Sequence, residues 1–350
     1  MAARKNHHFV PQFYFRRFSL DQRSICVLQR DTGKTIMHAP VKNQASKDWF
    51  YGDDAIEAAL GEVEGACSAA LRQLDEVKDP RLMEEEQIQL ILVWLTLQRS
   101  RTMTARQASQ PLNDKILRML LETEIANDSD LDENAKQKLL SSLGEIKSNP
   151  LRNHLMEIKI AMESAEILSD LTPLLLFNKT NRPFVFGDAP VVLYNGFYRN
   201  VQLRGVLGLN TPGLMVFFPL LPTVILALVD SSTYTVKHAH NNGVQVRNFQ
   251  DVMALNKLQI HSASTCVYFH DFQFAPYVTE LWRQEQKILS RHAGIVNEAP
   301  GFSSETGESM GDIVHGFQPQ LPYRLSLSFL QHNVLGDEEY RFSMRNKHYQ

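Results

Sequence analysis

Residues 214–230 read LMVFFPLLPTVILALVD, and this stretch decides which class of fold the chain adopts. It contains two apolar runs of strand length, 214–220 and 223–230, which are rich in β-branched and aromatic side chains and are separated by a proline. Two further runs of similar composition, 183–194 and 233–237, lie on either side of it. We therefore predict that the second half of the chain forms a sheet.

The first half has the spacing of helices instead. Residues 56–74 place Ile56, Leu60 and Val63 three or four positions apart, as on one face of a helix. Further helices are predicted from residue 84 and over 112–126, 131–144 and 150–177. Because helices and strands are segregated along the chain, we predict an α+β fold: an N-terminal β-hairpin, a helical block in the first half, and a mixed or antiparallel sheet with helices in the second half.

We predict one globular core over residues 1–293, a mobile linker over 294–319, and a C-terminal strand and tail over 320–350. The linker is inferred from its glycine, serine and proline content. The strand is inferred from strict apolar–polar alternation at 323–330. The parts of the core are the hairpin (25–41), the helical block (54–178), the β-rich part (183–270) and a last helix (279–292).

Composition limits the classes of function. A formal net charge of −3 provides no overall basic field for nucleic acid. Cys26, Cys67 and Cys266 are far apart in the sequence, which disfavours a zinc–cysteine site or a disulfide framework. No apolar run suits a signal peptide or a membrane span, so we expect a cytoplasmic protein without a membrane partner.

Polar side chains interrupt the apolar stripe of one helix. Continuing the stripe from Ile91 and Leu95 by three and four residues reaches Gln98 and then Arg101, so both should face the core. A buried arginine needs a partner because desolvating it alone costs several kcal/mol. The partner is either a carboxylate of the protein or an anionic ligand. The carboxylate candidates are Glu57 and Glu64.

Asp188 is a second polar residue that interrupts an apolar stretch of the sequence. It follows a strand-like segment within PFVFGDAPVV, on a turn that would project it into a cleft. There it would serve as a general base or a metal ligand. The structural alternative is an Asx-turn, in which the carboxylate accepts hydrogen bonds from nearby backbone amides.

The N-terminal stretch HHFVPQFYFRRFS, residues 7–19, combines two histidines with aromatic side chains and arginines. Its His-His-x-x-Pro order occurs in HNH nucleases, but the glycine-rich loop of that motif is missing. His8 adjoins the apolar run and is the candidate acid or base, whereas His7 is expected to face solvent. The residues expected to seal the core are Phe9, Val10, Phe13 and Phe18.

Several stretches, taken in order, resemble a known family. They are HHFVPQFYFRRFS, ASKDWFYGDD, LQRSRTMTAR, PFVFGDAPVV, FPLLPTVILAL and RNFQDVMALNKLQIHSASTCVYF. On these motifs the chain is similar to domain-of-unknown-function family 4238, a mainly bacterial family without an assigned activity. The chain departs from the family pattern at GDAP, where Ser-Asp-x-Pro is more common, and at Met103, where proline is common. The resemblance implies a recurring polar set: His8, Gln98, Arg101, Asp188 and Asn256.

The first functional hypothesis is a hydrolase, foremost a nuclease or another phosphodiester-cleaving effector, with bacterial defence as one setting. His8 and Asp188 would be catalytic, and Asp188 would be the first candidate to hold a divalent metal. The substrate would be a nucleic acid or another phosphate-containing ligand. The residues expected to bind it are Arg101, Gln98, Arg16 and Asn256. This hypothesis requires His8, Arg101 and Asp188 to share one cleft.

Two alternatives remain open. In the first, the protein is a non-catalytic binding or regulatory module whose buried polar residues only join the helical block to the sheet. In the second, the basic N-terminal segment binds RNA, with Phe9, Phe13 and Tyr14 stacking on bases. Packing in the core is the simpler explanation of those aromatic side chains.

Overall fold

A computed structural model describes residues 5–201, 205–240, 243–290, 292–302 and 307–333, together with Arg345. Its helices are α1 (Gln12–Arg16), α2 (Asp54–Val77), α3 (Glu85–Ser100), α4 (Met103–Asn127), α5 (Glu133–Ser142), α6 (Pro150–Glu163), α7 (Phe249–Ser262) and α8 (Ala275–Glu285). Polar residues cap several of their first turns, as helix-start signals require. These caps are Asp53, Thr102, Asp132, Asn149 and Asn248.

In the part of the chain that the structure describes, the strands form two main sheets and three two-stranded pairs. They are β1 (Asn6–His8), β2 (Ser24–Gln29), β3 (Thr35–Pro40), β4 (Ser46–Asp48), β5 (Thr172–Asn178), β6 (Phe186–Gly187), β7 (Val192–Asn195), β8 (Leu214–Leu221), β9 (Val224–Val229), β10 (Tyr234–Val236), β11 (Ala239–His240), β12 (Gly243–Val246), β13 (Cys266–Phe269), β14 (Ile295–Phe302), β15 (Ser309–Phe317) and β16 (Leu330–His332). The larger sheet has the order β11-β12-β5-β9-β8-β7, and the smaller has the order β3-β2-β13-β6. Within the described residues, β12 and β5 are the one parallel pair. The predicted α+β class with a mixed sheet is therefore confirmed.

Strand β8 lies at the heart of the larger sheet. Its side chains alternate between two cores, as the two-residue period of a strand requires. Val216 and Phe218 pack with the helical block, whereas Met215 and Phe217 pack with α7 on the opposite face. Both faces of the sheet are covered, which explains why residues 214–230 are apolar almost throughout.

The N-terminal aromatic residues fill the space between the two sheets. Tyr14, Phe15 and Phe18 are fully buried and contact Phe186 of the smaller sheet. The hydroxyl of Tyr14 also donates to the carbonyl of Pro219 at 2.5 Å. Core packing by this segment is confirmed.

Two segments differ from the prediction. The helix expected over 150–177 ends at Glu163, and residues 172–178 form the interior strand β5. A continuous apolar run such as LTPLLLF fits a buried strand as well as a buried helix, and the strand forms because β9 and β12 are there to pair with it.

The expected linker, 294–319, contains the antiparallel pair β14–β15, which packs against α4. Its glycines permit this packing, because a Cβ on Gly294 would lie 2.0 Å from the carbonyl oxygen of Ala108. The strand expected over 323–330 is limited to β16 at its end. Most of the predicted tail lies outside the described residues. In the described part of the chain, no helix is long and apolar enough to cross a membrane.

Candidate functional site

Arg101 lies at the end of α3 and is completely buried. Its Nη1 is 2.7 Å from Glu64 Oε1, its Nε donates to the Tyr51 hydroxyl at 3.1 Å, and its Nη2 donates to the His8 carbonyl at 2.6 Å. Burial lowers the pKa of Arg101, but Tyr51 and Glu64 more than offset this, so its net pKa is raised. Of the two alternatives for Arg101, the structure supports the internal carboxylate partner.

The two N-terminal histidines have exchanged the environments expected for them. His7 is buried, where its Nδ1 accepts a hydrogen bond from the Tyr51 amide at 3.1 Å. His8 is half-buried, with Nε2 at 3.0 Å from the Lys42 carbonyl. The expectation that His7 faces solvent is wrong because the pairing of β1 with β4 turns it inward.

Gln98 and Arg16 also make contacts within the protein. Gln98 is buried and donates to the Phe9 carbonyl at 3.0 Å. Arg16 is exposed on α1 and donates to Gln12 at 3.1 Å. Gln98 and Arg101 therefore hold the backbone of residues 8–9 against the helical block.

Asp188 is buried at the end of β6, and both of its carboxylate oxygens are occupied. Oδ1 accepts from the Ser264 amide at 2.6 Å. Oδ2 accepts from the Thr265 amide at 2.8 Å, from the Thr265 hydroxyl at 2.6 Å and from the Cys266 amide at 3.3 Å. Burial raises the pKa of Asp188, although these hydrogen bonds oppose the shift. Asp188 thus caps the loop after α7 and not its own turn.

A metal ion does not fit this arrangement of Asp188, since the donors around its oxygens are N–H and O–H groups. Among the described residues, no group of three or more His, Cys, Asp and Glu side chains is arranged to hold a metal ion.

Asn256 of α7 makes hydrogen bonds to the segment that leads into β6 and Asp188. Its Oδ1 accepts from the Val185 amide at 3.0 Å, and its Nδ2 donates to the Pro183 carbonyl at 2.8 Å. Gln259, one turn further along, binds the Gly187 amide and the Pro190 carbonyl. These amides position the strand that carries Asp188.

Three of the sequence motifs, LQRSRTMTAR, PFVFGDAPVV and RNFQDVMALNKLQIHSASTCVYF, meet at a cavity through residues beside those predicted, whereas none of residues 7–19 lines it. A cavity of about 400 Å³, here called the inner cavity, is lined by residues within 99–112, 157–164, 189–193, 207–209 and 316–321, with Ser262 and His292. Arg99 and Thr102 line it, whereas Arg101 does not; Ala189 lines it, whereas Asp188 does not. Arg101 and Asp188 therefore hold in place the segments that form this cavity.

A second depression, the basic cleft, adjoins the inner cavity. It has a volume of about 880 Å³, and its charged and polar lining includes Arg30, Asp114, Lys115, Arg118, Ser290, His292 and Glu298. His292 lines both spaces. Its Nε2 is 2.8 Å from the Ala263 carbonyl, and burial lowers its pKa. The ring is then neutral, with Nε2 protonated and Nδ1 as the acceptor.

The family comparison gives one clear result. Residues 6–272 match the model described as protein of unknown function (DUF4238). The chain belongs to this family. No significant match was found among curated proteins or among solved structures. The DUF4238 match includes Arg30 and His261 but ends before Glu285, Ser290 and His292, so the basic cleft combines residues from inside and outside the matched region.

A serine, a histidine and a glutamate meet at the wall of the basic cleft. Ser290 Oγ lies 3.1 Å from His261 Nδ1, and His261 Nε2 lies 2.9 Å from Glu285 Oε2. Lys257 Nζ is 2.8 Å from the other oxygen of Glu285. His261 is fully buried, whereas Ser290 is partly exposed and lines the cleft.

Electrostatics favour a neutral imidazole beside a charged carboxylate. Burial lowers the pKa of His261, and Arg30 and Lys257 lower it further against the opposing effect of Glu285. Burial raises the pKa of Glu285, but Lys257 and His261 more than offset this, so its net pKa is lowered. Glu285 therefore accepts the Nε2 proton, which leaves His261 Nδ1 to accept the Ser290 hydroxyl proton. The order of contacts is that of a serine nucleophile, its base and an orienting carboxylate, with the roles of the two imidazole nitrogens exchanged relative to the usual serine triad.

Arg30 completes the site. Its Nη2 donates to the Ser290 carbonyl at 2.7 Å, and its Nε donates to the Ile260 carbonyl at 3.2 Å. It fixes the backbone of Ser290 and brings a positive charge to this wall of the basic cleft.

Ser290 and Glu285 were not predicted as site residues, although the position of Glu285 in its helix is a recognisable sequence signal. Val278, Leu281 and Glu285 are three and four residues apart, and all three are buried on α8. Glu285 therefore interrupts an apolar stripe in the same way as Arg101 does. Ser290 has no such signal because it lies in an irregular segment.

Proposed function

We propose that this protein is a hydrolase that cleaves phosphodiesters with Ser290 as nucleophile, His261 as general base and Glu285 as the group that orients the imidazole. The observation that carries this proposal is the chain of contacts from Ser290 Oγ through His261 to Glu285, at 3.1 and 2.9 Å, on the wall of a cleft. Nucleophile, base and orienting carboxylate within hydrogen-bond reach are characteristic of covalent hydrolases.

The charge of the basic cleft supports a phosphate-containing substrate. Among the described residues, three cationic side chains line it against two carboxylates. Lys115 is paired with Glu298 at 2.7 Å, and Arg30 lies next to Ser290, so the cations without such a pairing are Arg30 and Arg118. Phosphoryl transfer depends on stabilising negative charge in the transition state, which arginine does well. The three cations are Arg30, Lys115 and Arg118, and the two carboxylates are Asp114 and Glu298.

The proposed reaction has two steps. Ser290 Oγ attacks phosphorus while its proton passes to His261 Nδ1, and the P–O bond to the leaving alcohol breaks as that proton reaches the departing oxygen. A water molecule then gives a proton to the same imidazole and attacks phosphorus. The bond to Ser290 breaks, and the proton returns to the serine oxygen. In this proposal His8, Arg101 and Asp188 are positioning residues.

A cytoplasmic location belongs to the same proposal. All three cysteines are free thiols, which suits a reducing compartment, and two of them are buried. A phosphate ester, including a nucleic acid end, is the proposed binding partner, and bacterial defence remains a proposed setting.

The contacts of Gln98, Arg101, Asp188 and Asn256 also favour a second candidate, a non-catalytic binding or regulatory protein. All four bind neighbouring parts of the chain. The RNA-binding alternative receives less support, because Phe9 and Tyr14 are buried and unavailable for base stacking.

Hydrolysis assays separate these candidates. Bis(p-nitrophenyl) phosphate, single-stranded RNA and single-stranded DNA are each incubated with the purified chain, in EDTA and with Mg²⁺ or Mn²⁺. We expect cleavage of at least one phosphodiester, its persistence in EDTA, and a loss of at least about 10³-fold in Ser290→Ala. Ser169→Ala changes an exposed serine and is the matched control. A wild-type chain that binds phosphate but cleaves none of these substrates would favour the binding candidate.

A further inference from the structure

The inner cavity has the character of a pocket for an apolar group. Side chains from α4, α6 and β7 line it, among them Ala105, Leu112, Ala161 and Leu193. A volume of about 400 Å³ lies within the range of pockets that bind small molecules.

The pair β14–β15 and the residues after it close the inner cavity on one side. Phe317 and Leu321 line it. Arg99 Nη2 of α3 lies 3.4 Å from Oε1 of Gln318, the residue that follows β15. The pair packs closely on α4, because a Cβ on Gly316 would lie 2.5 Å from a methyl carbon of Leu112. The space enclosed in this way suits a single substituent and is too small for a polynucleotide.

Charge within the inner cavity is balanced. Arg99 and Glu157 both line it, and the Glu157 carboxylate raises the pKa of Arg99 against the lowering effect of burial. The excess of positive charge lies in the adjacent basic cleft, across His292. An amphipathic anion matches this division, with its charged end beside Arg30 and its apolar end in the inner cavity.

We infer that the substrate is a small phosphodiester with one apolar alkyl or aryl substituent, which occupies the inner cavity while the phosphate lies in the basic cleft beside Ser290. The inference rests on the proposed function for the position of the phosphate. The binding preference for an apolar substituent can be measured without any catalysis.

Titration calorimetry with two non-hydrolysable probes tests the inference. Octylphosphonate carries the apolar tail and methylphosphonate lacks it. Each buried methylene contributes roughly fourfold in affinity, so we expect octylphosphonate to bind at least about tenfold more tightly. Ala161→Leu and Ala105→Leu narrow the cavity from two different helices, and each should remove most of this preference while leaving methylphosphonate binding unchanged. The control Ala59→Leu adds the same volume on the exposed face of α2 and should change neither affinity.

Equal affinity for the two probes would overturn the inference, as would a preference that survives both cavity variants. The second result would place the tail elsewhere, for example on the exposed Ile116 and Leu120 of α4. Phosphodiester cleavage without a tail preference would leave the proposed function standing and refute the pocket. A tail preference that the cavity variants remove, without cleavage, would establish the pocket and refute the proposed function.

Discussion

Arg101 shows how a buried charge can organise a site without touching it. Its three partners lie on α2, in the segment after β4 and in β1, so a single guanidinium joins three parts of the N-terminal region. Removing Arg101 leaves the Glu64 carboxylate half-buried and without its cation, and leaves the Tyr51 hydroxyl and the His8 carbonyl without this donor.

We therefore expect Arg101→Met to lower the free energy of unfolding by about 3–5 kcal/mol. Urea denaturation measures this directly. Arg101→Met with Glu64→Met should recover part of the loss, since the Glu64 carboxylate is then no longer left without its cation. Arg16→Met, at an exposed arginine, should stay within about 0.5 kcal/mol of the wild type. Unchanged stability in Arg101→Met would contradict the positioning role.

His154 is a second buried polar residue with a measurable consequence. Burial and the Arg106 guanidinium lower the pKa of His154 to about 3. The unfolded chain takes up this proton near pH 6.5 and the folded chain does not, so stability falls as the pH falls from about 6.5 towards 3.

This one group should contribute a slope of up to about 1.4 kcal/mol per pH unit over that range. His154→Gln removes the titration, so the difference in unfolding free energy between wild type and variant should shrink as the pH is lowered from 6.5 to 4.5. Urea denaturation at several pH values measures it. A difference that does not depend on pH would show that His154 titrates in the folded chain as it does in the unfolded chain, and would contradict the lowered pKa.

The burial of single polar residues could be predicted where the apolar spacing of one helix indicated it. The stripe on α3 identified Arg101 as buried and Glu64 as one candidate partner, and the structure pairs the two. The partners of Asp188 could not be predicted, because Ser264 and Thr265 are brought to it only by the pairing of β13 with β6.

At the scale of elements, α4 and the β14–β15 pair form the contact on which the inner cavity depends. Gly294→Ala should force them apart, because the new Cβ would lie 2.0 Å from a backbone oxygen that cannot move freely. We expect a loss of roughly 1–3 kcal/mol in stability and faster amide hydrogen exchange over 295–302 and 309–317.

Gly61→Ala is the matched glycine control for that variant. Gly61 lies inside α2, is exposed, and would place its Cβ in open space. The same substitution should there raise stability by about 0.5–1 kcal/mol. If Gly294→Ala behaved like Gly61→Ala, the described packing of β14–β15 on α4 would be incorrect.

Elements with strong periodicity were predictable, and those that depend on distant pairing were not. Helices α2 and α3 follow apolar stripes, and β8 and β9 follow β-branched runs. Strand β5 was expected to be helical because its neighbours β9 and β12 come much later in the sequence. The strands β14 and β15 are rich in glycine and polar residues and lack a clear alternating pattern.

At the scale of the whole molecule, the sheet and the helical block hold three separated segments around the basic cleft. Arg30 lies beside β2, His261 at the end of α7, and Ser290 beyond α8. The DUF4238 match covers the first two of these but not the third. Fold class could be predicted from patterns along the chain. This cluster could not, because Arg30 and His261 are 231 positions apart in the sequence and meet only when the chain folds.

Labelling with an alkyl fluorophosphonate tests the central claim most directly, because such reagents react with activated serine hydroxyls and release fluoride. We predict one adduct per chain by intact mass, which peptide mapping assigns to Ser290. Labelling should be lost in Ser290→Ala, strongly slowed in His261→Gln, and retained in Ser169→Ala. A folded wild-type chain that forms no adduct at Ser290, or an equal labelling rate in His261→Gln, would contradict the account.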